Sequence, residues 1–196
     1  MNNQKQFGVF IASQMNIAPR VFYEWLLAIL CLGIVVILVL YRDNTRMFVT
    51  RLFLLEYLIF IFALTVIYRE ESPERLYLLT PFWNYISIFR ERNLELLFEV
   101  VMNVIWFIPV GFLFGIQLKI DSLKQSWLVI FLLGIGLSLG IELLQLLFKK
   151  GYFEVNDIIH NTVGCLIGFL LWLGISKLII ACKRMVGFKL TCNKIR

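Results

Sequence analysis

The chain has 196 residues, of which 60% are hydrophobic and 16% are charged, and its mean hydropathy is +0.83. Soluble domains contain roughly 45–50% apolar and about 25% charged residues, so this composition excludes an ordinary soluble domain and indicates a protein of the lipid bilayer. The net charge of +6 does not indicate nucleic-acid binding, because the basic residues lie between and after the apolar stretches instead of on one soluble face.

Five apolar stretches are long enough to span a membrane, since a helix needs about 20 apolar residues to cross roughly 30 Å of hydrocarbon. They lie at residues 21–41, 52–68, 96–118, 127–148 and 158–181. Backbone groups in lipid must be paired within the spanning structure, and barrel-like alternation is absent, so these stretches are predicted to be helices. We therefore predict one all-α integral membrane domain over residues 1–196, a compact bundle of about five transmembrane helices.

Residues 69–95, between the second and third predicted spans, combine charged residues with many aromatic ones. The segment is too polar to cross a bilayer and too aromatic for an ordinary loop. Trp and Tyr favour the headgroup layer, and Pro81 interrupts the segment. We therefore expect an interfacial or re-entrant segment here, with a solvated loop as the alternative.

The basic residues of the connections predict the orientation, because Lys and Arg favour the cytoplasmic side. Five of them follow the last span: Lys183, Arg184, Lys189, Lys194 and Arg196. We expect residues 183–196 to be a cytoplasmic tail, and with five spans the N-terminus then lies outside the cell membrane. Residues 1–20 contain no apolar core of signal-peptide length, so the first span is expected to target the chain.

Polar residues within the predicted spans are the main functional signal. A charged residue at the bilayer centre costs roughly 2.5–3.5 kcal/mol on insertion scales, so it needs a partner or a wet cavity. The fourth span carries Ser138, Glu142 and Gln145, whose spacings of four and three place them on one helical face. The fifth span begins with Asp157 and Asn161, which are also four residues apart.

The third span adds polar residues at the same level of the bundle. Glu99 and Asn103 lie near its start, and Pro109 removes a backbone donor and predicts a kink. Arg69 ends the second span on this side and is a candidate counter-ion for Glu142 or Asp157. The candidate outer polar pocket comprises Arg69, Pro81, Phe82, Glu99, Asn103, Pro109, Ser138, Glu142, Gln145, Asp157 and Asn161. A structural network that joins the helices is the alternative.

The remaining motifs assign no chemistry. His160 is the single histidine and has no Cys or His cluster beside it in the sequence, so we expect a hydrogen-bonded structural role and no metal. No nucleotide-binding loop or catalytic triad can be assembled, so no cofactor is expected and catalytic residues are unknown. The four cysteines lack CxxC spacing. Three GxxxG pairs, at 111–115, 136–140 and 164–168, predict close packing within the bundle.

Four blocks of residues, in this order, resemble the VanZ-like family of bacterial membrane proteins. They are TPFWN at 80–84, NVIWFIPVGFLFG at 103–115, SLGIELLQ at 138–145 and FEVNDIIHNTVGCLIG at 153–168. Together they define a VanZ-like core of about residues 65–175. The chain departs from comparable members in two places. Asn156 stands where many have a second Asp, and Lys149 and Lys150 stand where many have Arg.

The resemblance implies a role in low-level resistance to lipoglycopeptide antibiotics, because the founding member is associated with resistance to teicoplanin. It implies no established enzymatic activity. Three functions remain open: binding of a drug, lipid or partner at the outer pocket, a membrane enzyme or carrier for a lipid-linked phosphate or sugar, and a structural scaffold. The expected partners are membrane lipids and a lipoglycopeptide or lipid-linked envelope precursor, and no nucleic acid.

Overall fold

The computed structural model describes residues 43–69, 71–118 and 123–193, with the backbone alone for residues 43–46 and 182–193. This part of the chain contains five α-helices and two short strands. The helices are α1 (Asp43–Phe62), α2 (Trp83–Glu91), α3 (Leu94–Gln117), α4 (Leu123–Phe148) and α5 (Val155–Asn193), and the strands are β1 (Leu76–Leu78) and β2 (Tyr152–Glu154). A π-helical turn, Ala63–Ile67, continues α1.

Four segments are long and apolar enough to cross a membrane: Met47–Ile67, Leu94–Gln117, Leu123–Phe148 and Val155–Ala181. They confirm the second to fifth predicted spans and the all-α membrane fold. The first predicted span, residues 21–41, lies outside the described residues. The third span begins earlier than predicted because Asn93 caps α3, its side-chain oxygen accepting a hydrogen bond from the Leu96 amide at 3.1 Å.

The segment between the second and third spans is ordered by contacts with the connection between α4 and α5. β1 pairs with β2 in parallel, with Leu76 opposite Tyr152 and Leu78 opposite Glu154. Helix α2 follows β1 and leads into α3 through Arg92, whose φ of 51° ends the short helix. The two strands, α2 and one end of each of the four spans therefore lie together. We call this end of the bundle the strand end.

Helices α3 and α5 form the centre of the bundle and make its most extensive contact. Their backbones touch at glycines. A Cβ added to Gly164 would collide with the carbonyl oxygen of Val104, and one added to Gly168 would collide with that of Ile108. The pair at 111–115 faces α5 in the same close manner. Two of the three predicted GxxxG pairs therefore pack as expected, allowing the close approach that helix association in lipid requires.

The third pair, Gly136 and Gly140 of α4, behaves differently. A Cβ added to either residue would meet no described atom within 4 Å. In contrast, Gly134 and Ser138 of the same helix are buried, and a Cβ on Gly134 would lie 3.1 Å from the Cα of Thr162 in α5. A shift of two residues turns a helix by about 200°, so Gly136 and Gly140 face away from α5. Close packing of this pair stays a prediction, since neither glycine packs against another helix within the described residues and the first predicted span lies outside them.

Candidate functional site

Hydrogen bonds join the predicted polar residues of α3, α4 and α5 at the strand end. The Asn103 side-chain amide of α3 donates to the Asp157 carboxylate of α5 at 2.7 Å. The Asn161 amide of α5 donates to the Ser138 hydroxyl of α4 at 2.8 Å. The Ser138 hydroxyl lies 3.4 Å from the backbone oxygen of Asp157. The three spans are thus connected through side chains that helical spacing places on facing surfaces.

Glu142 lies inside this network and is only 1% exposed. Its Oε2 accepts a hydrogen bond from the backbone amide of Glu154 at 2.8 Å. Glu142 therefore attaches the end of β2 to α4. Glu154 was not among the predicted site residues, since a carboxylate in a polar connection is ordinary in a sequence and becomes notable only when the fold places it beside buried acids.

Gln145, one turn after Glu142, connects α4 to the second span. Its side-chain amide donates to the carbonyl oxygen of Thr65 at 2.9 Å. Thr65 lies in the π-helical turn, where the regular i→i−4 hydrogen-bond pattern is altered. Gln145 is 1% exposed, and its Oε1 has no hydrogen-bond partner among the described residues. Among the predicted site residues in the described part of the chain, this is the only fully buried side-chain N or O atom without a hydrogen-bond partner.

Arg69 lies at the centre of the surrounding charge. A Cβ added to Gly151, whose φ is +98°, would lie 2.7 Å from the Arg69 Nε, so this glycine leaves space for the guanidinium. Arg69 interacts electrostatically with four carboxylates but forms no direct ion pair with any of them. These are Glu99, Glu142, Glu154 and Asp157. Its role as a counter-ion for Glu142 or Asp157 stays a prediction, because no direct ion pair joins Arg69 to either carboxylate.

These side chains form the strand-end cluster, which we define as Arg69, Glu99, Asn103, Ser138, Glu142, Glu154, Asp157 and Asn161. Burial, with a further contribution from the nearby carboxylates of Asp157 and Glu99, raises the pKa of Glu154 from 4.5 to about 7 against the opposing effect of Arg69. A carboxyl group with this pKa can gain or lose a proton near neutral pH. Within the described residues, no group of three His, Cys, Asp or Glu side chains is arranged to hold a metal ion.

A second set of hydrogen bonds holds α2 over the cluster. The Asn156 side chain accepts from the Phe82 amide at 2.7 Å and donates to the Asn84 side chain at 3.1 Å. Tyr85 and the His160 Nε2 share a hydrogen bond of 2.9 Å, which agrees with the structural role expected for the single histidine. Asn156, at the position where the sequence departs from the family pattern, is buried and helps to position α2.

Pro81, Phe82 and Pro109 lie outside the strand-end cluster, and Glu99 is its exposed member. Pro81 and Phe82 are exposed, and Phe82 has a φ of 61° at the start of α2. Glu99 is also exposed, on the first turns of α3. Pro109 lies within α3, six residues and about 9 Å beyond Asn103. Pro109 therefore lies in the half of α3 beyond the strand-end cluster.

Helix α2 presents an exposed apolar surface beside the cluster. Phe82, Ile86 and Phe89, spaced by four and three residues, are 55%, 62% and 80% exposed. Ile86 and Phe89 lie on one face of α2, and Phe82 directly precedes the helix. An exposed aromatic and aliphatic face next to the ends of membrane spans suits the boundary between headgroups and acyl chains.

The fold and site define a multi-pass all-α membrane protein with a hydrogen-bonded, carboxylate-rich cluster at one end of its bundle. The family model described as VanZ/LLP1 matches residues 26–179, and the chain belongs to this family. It is also similar to "Protein VanZ" of Enterococcus faecium, with 33% identity over 115 residues that cover 50% of this chain and 69% of that protein. No solved structure matches the chain significantly.

Proposed function

We propose that this protein contributes to low-level resistance to lipoglycopeptide antibiotics such as teicoplanin. In this proposal the strand end faces the outside of the cell membrane, and the strand-end cluster binds the drug, an envelope lipid or an envelope partner there. The observation that carries the proposal is the placement of buried ionisable groups beside an exposed apolar helix. Glu142 is buried and accepts a hydrogen bond from the Glu154 amide, while Phe82 and Asn84 at the start of α2 are bonded to Asn156, two residues further along the chain.

This placement suits an amphiphile, because such a molecule needs both polar partners and apolar surface. The cluster supplies carboxylate and amide groups, and α2 supplies Phe82, Ile86 and Phe89. Hydrogen bonds between membrane helices are worth only about 0.6 kcal/mol on average. Joining helices does not require four carboxylates, and amides or hydroxyls would serve as well. The excess of ionisable groups therefore supports a binding role in addition to the structural one.

The experiment compares a susceptible bacterial host that carries an empty vector with hosts that express the wild type or Glu142→Gln. We expect the wild type to raise the inhibitory concentration of teicoplanin several-fold and that of vancomycin little, and Glu142→Gln to lose most of this protection. The matched control is Glu74→Gln, which removes an exposed carboxylate of the connection at the strand end. Protein levels in the membrane are measured for every variant, and absence of selective protection by the wild type would disprove the proposal.

The raised pKa of Glu154 favours a second candidate function, an enzyme or carrier acting on a lipid-linked phosphate or sugar. A carboxyl with a pKa of about 7 beside Glu142 can accept or donate a proton. Deletion of the gene would then cause isoprenoid or glycolipid intermediates to accumulate. Expression of the wild type would reverse this accumulation, and expression of Glu154→Gln would not. Unchanged lipid intermediates in the deletion strain would eliminate this candidate.

A further inference from the structure

Helix α2 is fixed to the start of α5 by contacts on both sides of Trp83. The Asn156 side chain of α5 bonds to the Phe82 amide and to the Asn84 side chain. These two residues directly precede and follow Trp83. Glu154, the last residue of β2, lies two residues before Asn156, and the Trp83 indole N–H acts on its carboxyl group. The position of α2 therefore depends on residues 154–156.

The docked position of α2, in which these contacts are made, has two unfavourable features. The Trp83 Nε1 is buried and, although it acts on the Glu154 carboxyl, completes no hydrogen bond with a described residue. Such a donor keeps the penalty of leaving water. Phe82 and Arg92, at the two ends of α2, have φ values of 61° and 51°, which residues other than glycine seldom adopt. The docked position therefore persists only while the contacts with β2 and α5 outweigh these penalties.

The surroundings of Glu154 disfavour a negative charge on it. Every element packed against this residue places a group near it. These groups are Asp157 of α5, Glu99 of α3, Glu142 of α4, Arg69 after α1, Trp83 of α2 and the uncharged Leu78 of β1. Three of them are carboxyl groups, and Arg69 forms no direct ion pair with Glu154. Ionisation of Glu154 is thus opposed first by burial and then by neighbouring carboxyl groups.

Ionisation of Glu154 and docking of α2 therefore oppose each other. Exposure of the carboxylate to water would relieve both burial and repulsion, while the Trp83 indole, the smallest influence on this group, holds it in place. We infer that Glu154 and α2 form a proton-controlled latch, in which α2 is held against α5 while Glu154 is protonated and is released when Glu154 gives its proton to water. As a control of the strand-end cluster, the latch rests on the proposed function.

The pH range of the latch follows from the same surroundings. The pKa of Glu154 in the docked state is raised from 4.5 to about 7. Docking is therefore favoured fully below about pH 4.5 and loses this contribution as the pH rises through 7. Asn156 transmits the change, because it bonds to Phe82 and Asn84 at the start of α2. Release lets water reach the Trp83 indole and relieves the left-handed backbone at Phe82.

Hydrogen exchange of the full-length protein in phosphatidylglycerol nanodiscs tests the latch. The wild type and Glu154→Gln are compared at the same pH, so that the intrinsic exchange rates cancel. Gln cannot lose a proton and keeps α2 docked. At pH 8 we expect the amides of α2 to exchange several-fold faster in the wild type than in Glu154→Gln, and at pH 5 we expect equal rates. Glu74→Gln, which removes an exposed carboxylate of the same connection, should follow the wild type at both pH values.

Two further measurements show that the exchange reports docking of α2. Asn156→Ala removes the bonds that hold α2 and should accelerate exchange of its amides at both pH values. Nuclear magnetic resonance of the indole N–H groups follows Trp83 in the wild type, with its signal assigned by Trp83→Phe. This signal should weaken by exchange with water as the pH rises from 5 to 8. The Trp172 indole is the control, because its Nε1 is also buried without a described partner but lies within the span of α5.

Four results would overturn the latch. They are equal exchange of α2 in the wild type and Glu154→Gln at pH 8, slower exchange in the wild type, which would show that ionised Glu154 tightens α2 through Trp83, unchanged exchange in Asn156→Ala, and a Trp83 signal that does not change with pH. The last measurement needs no folded Glu154→Gln variant.

Failure of the latch is distinguishable from failure of the proposed function, because the latch is measured without a ligand. Release of α2 at pH 8 in a protein that gives no protection from teicoplanin would reject the resistance role alone. Protection by a wild type whose α2 stays docked at pH 8 would reject the latch alone.

Discussion

The α3–α5 contact and the strand-end cluster hold neighbouring helices together in opposite ways. In the first, glycines let backbones touch, and Gly164 and Gly168 leave no space for even one carbon atom. In the second, directional hydrogen bonds such as Asn103–Asp157 and Asn161–Ser138 cross between helices. The glycine contact depends on the absence of side chains, whereas the cluster depends on which polar atoms its side chains carry.

The difference indicates where the chain has chemistry beyond packing. Helix association in lipid lacks the hydrophobic drive it has in water, so close approach supplies the contacts. At Gly164 and Gly168 the α3–α5 contact meets this need through glycine. The cluster contains Glu142, Glu154 and Asp157 around Arg69, and charged groups in a membrane are costly unless they are paired or functional. This contrast is the reason for placing the proposed function at the cluster.

The largest expected effect concerns the close contact. Gly168→Val should lower the free energy of unfolding by at least the 1–3 kcal/mol typical of overpacking, because the added atoms meet the backbone carbonyl of Ile108, which cannot rotate away. Thermal unfolding in detergent measures the change. Gly174→Val is the control, since its site is open within the described residues. Equal melting temperatures for the two variants would show that α3 and α5 do not approach this closely.

A smaller effect is expected for the hydrogen bond between Asn103 and Asp157. A double-mutant cycle with Asn103→Ala and Asp157→Ala should give a coupling energy of about 0.6 kcal/mol, with an upper value near 1.7 for such bonds in membranes. The same cycle with Asn103→Ala and Ser176→Ala should be additive, because Ser176 bonds to Leu173 of its own helix. If both cycles were additive, the cluster would not couple these helices energetically.

A third effect is a dependence of stability on pH. Because the folded pKa of Glu154 is raised from 4.5 to about 7, its contribution to stability is fully present below about pH 4.5 and is lost as the pH rises through 7. The melting temperature of the wild type should therefore fall between pH 5 and pH 8 by more than that of Glu154→Gln. Glu74→Gln, which alters an exposed carboxylate, should follow the wild type. A Glu154→Gln profile that matched the wild type would show that Glu154 does not titrate in this range.

Helical spacing allowed part of the cluster to be predicted. The intervals from Ser138 to Glu142 and from Asp157 to Asn161 placed these residues on shared faces, and the order of spans brought them to one end. Arg69 followed from its position at the end of the second span. Glu154 and Asn156 were not predicted, because their partners, Glu142 for one and Phe82 and Asn84 for the other, lie on other elements.

The two short strands could not be predicted from the sequence either. β1 and β2 have three residues each and pair across 76 positions of sequence, and so short a segment carries no periodicity that distinguishes it from a loop. The three GxxxG pairs are equally alike in sequence. Only the rotation of α4, which turns Ser138 and Glu142 towards the bundle, turns Gly136 and Gly140 away from it.

The sequence by itself determined that the protein lies in a membrane and where its four confirmed spans are, because long apolar runs can pair their backbone groups in lipid only as helices. It also determined the family, because the motif blocks keep their order. The tertiary structure decided which polar groups form hydrogen bonds, which glycines pack against a neighbouring helix, and how α2 is held beside α5. Those features depend on the rotation and contact of helices far apart in the chain. The spans are therefore a property of local composition, while the strand-end cluster is a property of how the spans pack.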